Sequence, residues 1–95
     1  MIRDNVPSFD LDIYGPTPVQ KTIEFHERIV EFIELNLRNE IDSTLLCHFV
    51  SDGTIMDAEL SRESYRQALK TSLEFFTEEE VYEHCNRIKE LKEKL

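Results

Sequence analysis

The stretch that decides the fold is Leu45-Leu46-Cys47-His48-Phe49-Val50-Ser51-Asp52-Gly53-Thr54-Ile55-Met56-Asp57-Ala58-Glu59-Leu60. Asp-Gly supplies the two positive φ angles of a type I′ turn, the connection that suits the twist of a β-hairpin. With Asp52 and Gly53 in the loop, Ser51 faces Thr54, Val50 faces Ile55, Phe49 faces Met56 and His48 faces Asp57. Further out, Cys47 faces Ala58, Leu46 faces Glu59 and Leu45 faces Leu60. This register sorts the side chains. Phe49/Met56, Cys47/Ala58 and Leu45/Leu60 form one apolar face, and His48/Asp57 with Leu46/Glu59 form the other. A slip of one residue on one strand would mix the two faces.

Upstream, Phe9, Leu11 and Ile13 alternate with Ser8, Asp10, Asp12 and Tyr14, which predicts a strand over 8–14 with carboxylates on its solvent side. Gly15-Pro16 ends it. Thr17-Pro18-Val19-Gln20 then has the form of a helix start, with a capping residue, proline at the first helical position and a capping-box glutamine. The helix should run to about Arg38 or Asn39. Its stripe of Val19, Ile23, Ile29, Val30, Ile33 and Leu37 is widened by Phe25 and Phe32. An arc this broad suits the central helix of a core, or a helix that also meets a second copy through Phe25, Phe32 and Leu35. His26 falls within the stripe and reads as a partly buried, hydrogen-bonded histidine, with a pH-sensitive interface contact as the alternative.

Downstream, Ser61 can cap a helix carrying Tyr65, Ala68, Leu69, Ser72, Leu73 and Phe76 at helical spacing. Thr77-Glu78-Glu79-Glu80 reads as a capping box that starts another helix at once, with Phe76 stapled onto Val81. The buried side of that last helix is Val81, Cys85, Ile88 and Leu91. The element order is therefore β-α-β-β-α-α. It predicts one compact α+β domain over 1–95, a small three-stranded mixed sheet with the helices on one face.

The chain has 95 residues, with 20 Asp+Glu against 11 Lys+Arg and a net charge of −9. Residues 41–60 contain Asp42, Asp52, Asp57 and Glu59 and no Lys or Arg. Such a balance disfavours nucleic acid and anionic lipid as direct partners, because both need cationic surface. The absence of a long apolar run argues against a membrane span. The lack of an apolar segment near Met1 and the presence of just two cysteines, Cys47 and Cys85, lead to the expectation of a reducing cytoplasm.

Three chemical readings compete for these residues. Asp10-x-Asp12 with Asp57-x-Glu59 and His48 has the ingredients of a metal-dependent hydrolase, but no basic group accompanies them and no glycine-rich cradle is present. Cys47-His48 and His84-Cys85 cannot chelate zinc as adjacent pairs, since neighbours on a strand or helix point apart. A Cys-His nucleophile lacks an oriented base and an oxyanion hole. The expectation is therefore a non-enzymatic regulatory or inhibitory domain without cofactor or metal, whose partner-binding residues are Asp10, Asp12, Asp57 and Glu59. In composition it resembles small regulatory or inhibitory proteins, phage-encoded ones among them. The partner would be a basic protein surface, in the sharpest form a nucleic-acid-binding groove into which the carboxylates fit as phosphates do. The alternative is a structural or oligomerisation domain, a homodimer built on the first helix, and a metal-dependent hydrolase comes third.

Overall fold

The computed structural model describes residues 4–10 and 19–95. In chain order the elements are β1 (Ser8–Asp10), α1 (Val19–Leu37), β2 (Leu45–Ser51), β3 (Thr54–Glu59), α2 (Tyr65–Glu78) and α3 (Cys85–Glu93). Short 3-10 turns at Arg62–Ser64 and Tyr82–His84 lead into the last two helices. The order β-α-β-β-α-α and the mixed sheet are as the sequence predicts: β1 pairs with β2 in parallel, and β2 with β3 antiparallel. The helix start at Thr17-Pro18 and the second half of the expected first strand, Asp12 included, lie outside the described residues.

The hairpin turns on Asp52 (φ 48°) and Gly53 (φ 76°), the left-handed angles of the expected turn. From Ser51↔Thr54 to Cys47↔Ala58 the register is the one read from the sequence. Beyond that point it departs. Leu45 pairs with Glu59, and Leu46 is the extra residue of a bulge. The expected pairs Leu46/Glu59 and Leu45/Leu60 are therefore not formed. The physical reason is burial: with the bulge, Leu46 and Cys47 are both buried in the core, at 5% and 0% exposure, where strict alternation would have put Leu46 in solvent. Met56, expected in the packed face, stays 47% exposed on the outermost strand.

α1 is the middle layer. One flank meets the sheet, where Phe25 packs against Phe9 and Phe49 with ring centroids 5.9 and 5.7 Å away. The other flank meets α2 and α3. Val30, Phe32 and Ile33 of α1, Leu69 and Phe76 of α2 and Ile88 of α3 are fully buried together. Arg87 of α3 forks onto both carboxylate oxygens of Glu34 in α1, at 2.9 Å each. Hydrogen bonding from Arg87 holds the Glu34 carboxyl below its ordinary value, and the pairing raises Arg87 in turn.

Two helix ends close alike. In α1 the Glu40 and Asn39 amides return to the Leu35 and Asn36 carbonyls, with Asn39 at φ 60°. In α2 the Val81 and Glu80 amides return to Phe76 and Thr77, with Glu80 at φ 58°. Both are Schellman motifs, and their left-handed residue is not glycine. The second motif corrects the expected start of a helix at Thr77. Thr77 lies inside α2 and donates its hydroxyl to the Leu73 carbonyl, so it caps nothing. The Phe76–Val81 pair read as an N-terminal staple is the C-terminal closure of the preceding helix. Ser61 likewise makes no side-chain cap; its carbonyl accepts the Ser64 amide instead.

Candidate protein-binding surface

One face of the sheet lies against α1, and among the described residues no helix packs on the other. The register places its rows. Ser8, His48 and Asp57 lie side by side across the uncovered face, followed by Asp10, Val50 and Ile55. Between them, on the covered face, run Phe9, Phe49 and Met56. Asp10, Asp57 and Glu59 are all exposed on the uncovered face. No Lys or Arg occurs in any of the three strands.

These carboxylates lie on the two outer strands of the face. Asp10 and Asp57 belong to opposite outer strands, two strand spacings apart or about 10 Å, a separation near the Debye length at 0.1 M salt. Asp57 accepts a hydrogen bond from His48 Nδ1 at 2.7 Å. Glu59 accepts one from the Thr44 hydroxyl at 3.2 Å. Asp57 and Glu59 stand two residues apart on β3, about 7 Å along the strand, so the like-charge repulsion expected from the sequence falls on that pair, and Asp12 lies outside the described residues. His48 and Ser8 flank each other beside Asp57, but among the described residues the row has no walls to exclude water.

Behind this face the backbone is held by a residue that the sequence reading did not single out. Arg28 of α1, 5% exposed, donates Nε to the Leu46 carbonyl at 2.7 Å and grips both Asp4 oxygens at 3.0 and 2.8 Å. The parallel register Ser8↔His48, extended by two residues, would ask the N–H of residue 7 to bond Leu46. Residue 7 is proline and has none, so the guanidinium supplies the donor. Nothing in the local pattern around Arg28, between Glu27 and Glu31, distinguishes it from a solvent-facing charge. Proline directly before a short strand was the available clue.

Phe32 is fully buried within the chain, with Tyr65 edge-on at 6.4 Å and Arg28 over its ring at 5.3 Å. Phe25 and Leu35 are half-buried and packed on the same core. The wide apolar arc of α1 is therefore used on both flanks by its own chain. Cys47 is buried, and burial pushes its thiol up, which suppresses the thiolate a nucleophile or ligand needs. His84 bonds Glu27 at 3.1 Å, tying the turn before α3 to α1. His26 is buried, stacked on Phe75 at 4.3 Å and hydrogen-bonded to Ser72 at 2.8 Å, as its place in the stripe predicts. Burial lowers its pKa.

Among the described residues no group of three or more His, Cys, Asp or Glu side chains could hold a metal ion, and no helix is long and apolar enough to cross a membrane. Comparison with protein-family models, with curated proteins and with solved structures finds no match to the chain.

Proposed function

We propose that the chain is a non-enzymatic regulatory or inhibitory domain that docks its acidic sheet face on a basic protein surface. The observation that carries the reading is the makeup of the sheet: three exposed carboxylates, Asp10, Asp57 and Glu59, on the uncovered face and no cationic Lys or Arg in any strand. The flanking Asp42 and Asp52 extend the same sign around the hairpin. Cationic groups gather on the helices, as where Arg66, Lys70 and Lys92 line a shallow cleft with Glu63 and Gln67. A molecule so polarised approaches a basic partner sheet-first, which raises the rate of encounter more than the strength of the final contact. A groove that binds nucleic acid is the sharpest form of such a partner, because it is built to receive a row of anions.

The test uses the triple variant Asp10→Asn, Asp57→Asn and Glu59→Gln. All three side chains are exposed, so its stability should stay within about 0.5 kcal/mol of the parent, as for ordinary surface changes. Partners captured from lysate at low salt by the parent should be lost in high salt, and should be lost by the variant at either salt. If the variant captures the same proteins equally well, the acidic face serves solubility alone.

A further inference from the structure

We propose that the outer edge of β3 accepts an extended basic segment of a partner chain as a fourth strand. This rests on the docking reading above and specifies its mode, which is backbone pairing along an edge.

The two-residue turn fixes which backbone groups are free. Ser51 and Thr54 flank it as a hydrogen-bonded pair, so Thr54, Met56 and Ala58 aim their N–H and C=O groups at β2. The Leu60 amide, donating to the Thr44 carbonyl at 2.7 Å, keeps that parity. Ile55, Asp57 and Glu59 consequently turn their backbone groups outward. Among the described residues β2 is the one strand beside β3.

Open edges are usually blunted by lysine, proline or a bulge. β3 has no Lys, Pro or Gly, and the sheet's bulge sits on β2. Its tip instead carries Ile55, 66% exposed, and Met56, 47% exposed, one on each face. The edge's charged side chains are carboxylates, which repel the same edge of a second copy and attract a cationic strand. Charge complementarity therefore selects the occupant. An antiparallel guest facing Glu59, Ala58, Asp57, Met56 and Ile55 in turn should read basic, apolar, basic, apolar, apolar, the recognition pattern of strand addition.

The probe is a peptide centred on Arg-Val-Lys-Val-Val, with two N-methylated forms of identical charge and sequence. One is methylated at the Arg, Lys and final Val amides, which face β3 in this pairing, and the other at the two inner Val amides, which face away. The first loses three hydrogen bonds to β3 and should bind at least about tenfold more weakly than the parent peptide. The second should bind within about twofold. Addition of the parent peptide should slow amide exchange at Ile55 and Asp57 in the unmodified protein. Ile55→Pro removes one outward N–H while leaving the β2 ladder and every carboxylate in place, and should weaken the parent peptide by at least about twofold, the loss of one hydrogen bond to the guest.

Equal binding of both methylated peptides overturns strand addition. If a lysine peptide interrupted by glycine and proline then binds as well, the acidic face still stands as an electrostatic surface. Failure of every basic peptide at low salt overturns both. Dimerisation through β3 in sedimentation would give the edge to a second copy and overturn this proposal alone.

Discussion

At Arg28 one guanidinium joins three parts of the chain: the segment before β1 through Asp4, the bulge through the Leu46 carbonyl, and α1 itself. Replacing it with methionine keeps the aliphatic packing but leaves a half-buried carboxylate and a backbone acceptor without their donor. Breaking a buried pair from one side typically costs about 3 kcal/mol, and Arg28→Met should lower the urea midpoint accordingly. Adding Asp4→Asn to it should cost less than the two single losses combined, since the second change removes the stranded charge. Additive losses would mean that the two residues act separately. His26 shows the converse case of a residue that the sequence did disclose: an apolar stripe surrounding one imidazole implies a hydrogen-bond partner. Ser72 is that partner, and it lies on α2 at a stripe position of its own.

Among elements, the hairpin was legible because Asp52-Gly53 and the face sorting agree independently on one register. Its one error, the bulge at Leu46, was hidden because a bulge is chosen by what the core can bury, and the pattern along the strand does not show that both Leu46 and Cys47 find room there. The helix boundary near Thr77 failed for a different reason. Threonine followed three residues later by glutamate suits an N-cap, yet the same Thr can bond back to the preceding turn and sit mid-helix. The signal that ends α2 is a left-handed residue, and a glutamate in that role carries no composition cue. It does carry a cost, because non-glycine residues at such angles are strained by about 1 kcal/mol. Glu80→Gly should therefore raise the free energy of unfolding by about 0.5–1 kcal/mol, read from denaturant melts. A loss of stability would show that the Glu80 side chain contributes more than its backbone strain removes.

For the whole molecule, pH should act in one direction. His26 has its folded pKa below 6.5 through burial, so the unfolded chain binds the proton more readily, and stability falls as pH drops from about 6.5 toward the folded value. Glu34 has its folded pKa below 4.5 through Arg87, so its contribution is complete above 4.5 and is lost as pH falls through the folded value. Melts from pH 8 to about pH 3 should show a loss beginning below neutrality. His26→Gln should flatten the upper part of that profile, and Glu34→Gln should flatten the lowest part. A profile unchanged by His26→Gln would mean that the imidazole is not the group being protonated. The surface candidates were legible at this scale as well, since charge by segment marks the hairpin as acidic whatever its fold. Their spacing was not, because it depends on β1 and β3 lying at opposite sides of β2.

The parallel pairing of β1 with β2 has a consequence for the order of assembly. β2 and β3 are joined by two residues, and their contacts can form before the rest of the chain is arranged. Ser8 and His48 are 40 residues apart, with all of α1 between them. Closing that span costs loop entropy which short-range contacts do not incur. The hairpin and the packed helices should thus be in place on the folding pathway before β1 arrives. Until it does, β2 presents a second open edge, and the nascent chain is briefly a two-stranded ribbon unpaired on both sides.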